Sequence, residues 1–136
     1  MKSESSGADP DLLTVEAQLD AARDRARSAY FRRDVGGVMA MFHPTLAYTR
    51  PDGRTIGYER FARDLSVQLE RMETGSTGFR REALEVRDAE IVAETLEERT
   101  TFIVRAFGFL RREWTVSRWA VYEWVRNGGA WQVRRV

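Results

Sequence analysis

Four β-type segments crowd the second half of the chain, at about 79–87, 90–105, 109–126 and 131–136. Thr, Val, Ile, Phe and Trp dominate them, as half-buried strands require. The joints are turn-like: Arg87-Asp88-Ala89, Phe107-Gly108-Phe109 and Asn127-Gly128-Gly129. Joints this short predict an antiparallel meander. One face of such a sheet is apolar, so the first half of the chain must supply its cover.

That half reads as three helices. Asp9-Pro10 is a helix start, with proline in the first turn. Leu12, Val15, Leu19, Ala22, Ala26 and Ala29/Tyr30 then recur at three- and four-residue steps, which predicts a helix ending near Arg33. Asp34 can cap a second, short helix over Val35–Phe42, with Gly36 and Gly37 favouring a sharp joint. His43-Pro44 is expected to end it. A short strand follows at 45–50, then the turn Pro51-Asp52-Gly53 and a second short strand at 54–56. Gly57 opens a third helix, with Phe61, Leu65, Leu69 and Met72 on one face and Gly75 as its expected stop. Residues 1–8, rich in Ser and Gly, read as a disordered tail, and 9–136 as one domain. The fold class is therefore α+β, a curved antiparallel sheet covered by three helices.

Composition removes several kinds of chemistry. The 136 residues contain no cysteine and one histidine, which argues against disulfides, thiolate nucleophiles and a zinc site, so no metal and no cofactor is expected. No stretch approaches the roughly 20 apolar residues that cross a bilayer. The segment MKSESSGADP lacks a signal peptide's apolar core, so a cytoplasmic location and no membrane partner are expected. A net charge of +1 gives no reason to expect a nucleic-acid partner. The charge is unevenly spread, however. Glu82, Glu85, Asp88, Glu90, Glu94, Glu97 and Glu98 face only Arg87 within 82–98, whereas 99–136 holds eight arginines against Glu113 and Glu123. Either these charges pair across neighbouring strands, or some of the arginines line a pocket for an anionic ligand.

The order of elements, with particular residues, resembles the nuclear-transport-factor-2-like superfamily, the SnoaL-like or ketosteroid-isomerase-like cone. The resemblance is carried by the helix–Asp34–short-helix–Phe42 unit, by Tyr48-Thr49-Arg50-Pro51-Asp52-Gly53, and by Gly57 before the third helix. Arg118-Trp119-Ala120-Val121-Tyr122 and Asn127-Gly128-Gly129-Ala130-Trp131-Gln132-Val133 look like the family's last hairpin. It spans about residues 12–136. It implies a cystatin-like α+β barrel with a cone-shaped pocket, usual dimerisation, and roles from isomerases, cyclases and dehydratases to non-catalytic scaffolds. Fold alone therefore does not give function.

The resemblance can be tested position by position. Where ketosteroid isomerases carry their general base, just before the proline, this chain has Arg50, which stays charged at neutral pH. Their oxyanion-binding tyrosine falls at Ala26 and their protonated aspartate at Tyr122. A limonene-epoxide-hydrolase-like relay is also missing, since Tyr48-x-Arg50 replaces Tyr-x-Asn and Arg99-Thr100-Thr101 is the nearest match to Arg-x-Asp. Scytalone-dehydratase-like sites need two histidines. A SnoaL-type cyclase needs an inward carboxyl. Glu94, Glu98 and Asp64 are the acids to consider, and a solvated surface position is the simpler expectation for each.

Strand alternation still outlines a cavity. It is expected to hold Tyr48 and Arg50 from the first strand, Trp114, Arg118, Tyr122 and Trp124 from one row of the long strand, and Tyr30 and Phe61 from helices. Arg50 and Arg118 would either pair with an inward acid such as Glu94 or Glu98, or receive an anionic or carbonyl-rich ligand. Two functions follow. One is a small-molecule-binding protein, an isomerase-, cyclase- or dehydratase-type enzyme in one version, acting on a carbonyl- or carboxylate-bearing aromatic or polyketide-like ligand. The other is a non-catalytic accessory or dimerisation module with a residual cavity. The opposite row of the long strand, with Trp119 and Val121, is expected to form a homodimer interface on the convex face unless its own chain covers it. His43, with no acid beside it, reads as a structural residue at a helix-to-strand joint.

Overall fold

The computed structural model describes residues 12–71, 74–106 and 110–136. Its elements are α1 (Leu12–Phe31), α2 (Val35–Met39), β1 (Phe42–Thr49), β2 (Thr55–Ile56), α3 (Tyr58–Arg71), β3 (Thr74–Asp88), β4 (Ile91–Ala106), β5 (Leu110–Asn127) and β6 (Ala130–Arg135). The expected tail 1–8, the Asp9-Pro10 start, Met72 and the Phe107-Gly108-Phe109 turn lie outside the described residues.

Most of the predicted stripe is the buried face of α1: Val15, Leu19, Ala22, Ala26 and Ala29 leave solvent, whereas Leu12 at its start is exposed and Tyr30 is only partly buried. At the end of α1, the Arg33 N–H donates to the Tyr30 carbonyl at 3.0 Å and the Asp34 N–H to that of Ala29 at 2.8 Å. This is a Schellman stop, with Arg33 in the left-handed region at φ 59° where glycine is usual. The Arg33 side chain donates to the Leu69 carbonyl at 3.0 Å, which ties the stop to α3. Asp34 caps α2 as expected, its carboxylate accepting from the Gly37 N–H at 3.0 Å.

Two boundaries differ from expectation. Helix α2 ends at Met39, and Phe42, His43 and Pro44 already belong to β1. The reason is the ladder: the Val133 N–H donates to the Met41 carbonyl, and Phe42 pairs with Val133 of β6. Pro44 is tolerated because the pairing is irregular between Phe42 and Ala47. Gly75 is not a helix stop but lies within β3, opposite Phe102. Here pairing with β4 extends the strand through Gly75 and Gly78 despite their low intrinsic propensity.

The sheet order is β2-β1-β6-β5-β4-β3. The β3–β6 portion is the predicted antiparallel meander, but β1 and β6 run parallel, so the sheet is mixed. Nothing in the local sequence announces a pairing between strands that lie so far apart in the chain. The sheet is also not closed into a barrel, since β2 and β3 are its two edges. The β3–β4 register shifts at Arg81/Ala83 and Val86/Asp88, irregularities of the kind that accompany strand bending. Leu19, Val92, Leu96, Trp124 and Val133 form the centre of the core.

Many of the unevenly spread charges do pair across strands, as in Arg80–Glu97 at 3.1 Å and Arg134–Glu123 at 2.9 Å. Pairs at the surface add little stability. Among the described residues no helix is long and apolar enough to cross a membrane, and no group of three His, Asp or Glu could hold a metal ion.

Candidate functional site

A cavity of about 200 Å³ opens between α1, α3, β1 and the concave sheet face. Its apolar wall is made by Val38, Met41, Phe42, Phe61 and Leu65. The Phe61 ring lies 4.9 Å from that of Phe42 and 4.6 Å from that of Tyr48, which fixes α3 against β1. The polar side carries Arg23, Arg27, Tyr30, Tyr48, Glu98 and Tyr122.

Alternation accounts for which β5 residues reach this space. Along the inward row, Trp114 is 49% exposed, Arg118 half-buried, and Tyr122 and Trp124 buried, as the strand passes beneath the helices. Tyr122 lines the cavity, as do Tyr48, Tyr30 and Phe61. Trp124 lies deeper, in the core, and Trp114 lies beyond the cavity, with Arg112 over its ring at 5.3 Å. Arg118 stands behind the lining. It donates to the Tyr48 hydroxyl at 2.7 Å and the Thr49 carbonyl at 3.3 Å, and its Nε lies 3.9 Å from Glu98. Arg50 is outside. Strand β1 ends at Thr49, so the alternation stops before Arg50, whose carbonyl instead closes the turn to the Gly53 N–H. Its guanidinium sits 3.7 Å from Asp64 and 4.0 Å from Asp52. His43 bonds locally: its Nδ1 accepts from the Thr45 N–H at 3.1 Å and lies 2.8 Å from the Thr45 hydroxyl.

The two inward acids have opposite characters. Glu98 faces the cavity, and Tyr122 donates its hydroxyl hydrogen to it. Burial raises the Glu98 pKa, and the opposing effects of the Tyr122 hydrogen bond and the Arg118 charge do not cancel this. Tyr122 is pushed well up by its own burial and by the Glu98 charge, so it remains a hydrogen-bond donor. The Tyr48 pKa is raised by burial, with Arg118 opposing. Because Tyr48 accepts from Arg118, its own hydroxyl hydrogen is free to donate into the cavity.

Glu94 is fully buried rather than solvated, two strand repeats from Glu98 on the same face. It accepts from both terminal nitrogens of Arg23, from Trp124 Nε1 at 3.0 Å and from Arg81 Nε at 2.9 Å. Burial alone would raise its pKa, but these partners, Arg23 first, hold it below the ordinary carboxylate value. Arg81 in turn reaches Asp20 at 2.6 Å.

Sequence reasoning did not single out Arg23, although the signal was present. It lies four residues after Leu19 and one after Ala22, within the apolar stripe of α1. Glu94 likewise alternates with Val92 and Leu96, both fully buried.

The architecture is that of the nuclear-transport-factor-2-like fold. Solved structures that share it include an NTF2-like superfamily protein from Salmonella enterica serovar Typhimurium (TM-score 0.75, 13% identity, covering 92% of this chain and 89% of that one). A type 2 hexachlorocyclohexane dehydrochlorinase superposes with a TM-score of 0.73 at 15% identity, over 90% of this chain and 82% of that one. A ketosteroid isomerase-like protein from Erwinia carotovora atroseptica gives 0.66 at 15% identity, over 88% and 90%. No family model matches the sequence, and no curated protein matches it. Of the three positions aligned with the ketosteroid isomerase machinery, Ala26 and Tyr122 line the cavity and Arg50 does not.

Proposed function

We propose that the protein binds a carbonyl- or carboxylate-bearing aromatic or polyketide-like small molecule in this cavity and exchanges a proton with it through Glu98. The observation that carries the reading is Glu98 itself: a carboxyl facing a largely apolar cavity, with its pKa raised by burial and its orientation fixed by Tyr122. In its charged form Glu98 would take a proton from a carbon next to a carbonyl. Tyr48, backed by Arg118, would hydrogen-bond the oxygen on which negative charge develops. Returning that proton to another carbon completes an isomerisation, and losing a neighbouring leaving group completes an elimination. At about 200 Å³ the cavity is smaller than the 300–1,000 Å³ of drug-sized sites, which favours ligands with one aromatic ring over a fused steroid.

Proton exchange can be read directly. With acetophenone in D₂O, the protein should accelerate deuterium uptake at the methyl carbon, and Glu98→Gln should cut that rate by about 10²–10⁴-fold. Binding without accelerated exchange would favour a second reading, a non-catalytic accessory module. That reading is supported by Glu98, Tyr122, Arg118 and Tyr48 satisfying one another without a ligand.

We further infer a homodimer through the convex sheet face. Trp119 is 58% exposed and Val121 51%, adjacent on one row of β5. Sedimentation should show a dimer that Trp119→Glu dissociates, and a dimer surviving that change would contradict the assignment.

A further inference from the structure

We propose that the ligand of this cavity is an aromatic carboxylate, whose carboxylate is held by Arg27 with the buried Arg23 beside it. The inference rests on the cavity being a ligand site. It adds the chemical class and the residue that selects it.

Four arginines near the cavity have their charge satisfied within the protein. Arg118 lies against Glu98, Arg50 against Asp64 and Asp52, Arg81 against Asp20 and Glu94, and Arg23 against Glu94. Arg27 differs. It is exposed and lines the cavity, and among the described residues it meets no carboxylate; its guanidinium carbon lies 5.8 Å from the Phe31 ring. A cation over an aromatic face is held in place without being neutralised. One turn earlier on α1, Arg23 also lines the cavity and is only 7% exposed. Both its terminal nitrogens serve Glu94, but its Nε is buried with no hydrogen-bond partner. A buried N–H without an acceptor is unfavourable, so Glu94 does not exhaust the hydrogen-bonding capacity of Arg23.

The remaining charge in the cavity favours the same ligand. Glu98 is the carboxyl of its lining, and it is already engaged by Tyr122 and Arg118, so it does not compensate the positive charge of Arg27. An adjoining cleft of about 340 Å³ shares Arg23, Arg27 and Phe79 with the cavity. Asp20 and Asp24 line that cleft and not the cavity, so an anion is favoured on the cavity side. There its ring would lie against Phe61 and Phe42.

The test is calorimetric titration of the full chain with benzoate, benzamide and acetophenone. Benzoate should bind at least about tenfold more tightly than benzamide, and more weakly as salt rises. Arg27→Gln should lower benzoate affinity about tenfold or more and leave benzamide within about twofold. Glutamine retains helix propensity at this exposed site, and Arg25→Gln, elsewhere on the exposed surface of α1, should change neither. Equal affinity for benzoate and benzamide, or a benzoate affinity untouched by Arg27→Gln, would overturn the carboxylate assignment. If acetophenone or benzamide binds without a benzoate preference, the ligand site stands and this inference falls. If none of the three binds, both fall.

Discussion

Arg23 and Glu94, 71 residues apart in sequence, meet in the interior with both guanidinium terminal nitrogens on the two carboxylate oxygens. The pair fastens α1 to β4 directly behind the cavity. Arg23→Met leaves Glu94 buried with only Arg81 and Trp124, and should cost about 3–5 kcal/mol in urea unfolding. Arg23→Met combined with Glu94→Leu should recover part of that loss, because no unpaired charge remains inside. Strict additivity of the two single losses would show that the residues do not act as a pair.

The two inward carboxyls predict opposite responses to pH. For Glu94, burial is outweighed by Arg23, Trp124 and Arg81, so its folded pKa lies below the ordinary 4.5. Its contribution to stability is present above that value and is lost as pH falls through the folded pKa. Burial places the folded pKa of Glu98 above 4.5, so the fold is favoured below that value and penalised once pH rises through the folded pKa. Glu98→Gln should therefore raise Tm at neutral pH, with the gain vanishing in acid. Glu94→Gln should lower Tm at neutral pH, with the deficit narrowing in acid. Thermal melts from about pH 3 to about pH 8 would separate the two.

Gly37→Ala should destabilise, although alanine is the better helix former. An added Cβ would come 2.6 Å from the Ala29 Cβ and 2.7 Å from Asp34 Oδ2. Relieving that overlap means moving α2 away from α1 or losing the Asp34 cap, at a cost of about 1–3 kcal/mol. Gly36→Ala is the control, since its nearest neighbour would be 3.7 Å away. Urea midpoints of the two variants should differ clearly.

Tyr48→Phe removes the acceptor of Arg118 and the free donor of the cavity while keeping the ring against Phe61. Stability should fall by about 0.5–1.5 kcal/mol. Acetophenone-dependent exchange should fall by about 10-fold or more, because a donor aimed at developing charge is worth more than its share of the fold. Equal losses in folding and exchange would mean that Tyr48 only supports the wall.

The helices and the meander were legible because their signals are local: the stripe of α1, the Asp34 cap and the two-residue turn at Gly128-Gly129, where both residues take positive φ. The parallel β1–β6 contact was not, since it depends on where distant strands meet. The site was half legible. Alternation put Tyr48 and Tyr122 on the right face but could not say that β1 stops one residue before Arg50. Arg23 was not singled out and Glu94 was read through its residue type, because a charged side chain defaults to the surface unless its partner is known. That partner lies in another element.

The position of β6 also bears on how the chain reaches this fold. It lies between β1, from the first half, and β5, from the second, and among the described residues it is the strand that joins them in the sheet. Until Ala130–Arg135 is in place, β1 and β2 are a small ribbon without a sheet, and the cavity residues of β1 are not yet held beside those of β5. The contacts that complete it span most of the chain, and closures of that length are slow. Formation of the cavity should thus be among the late events of folding, governed by the arrival of a single six-residue strand.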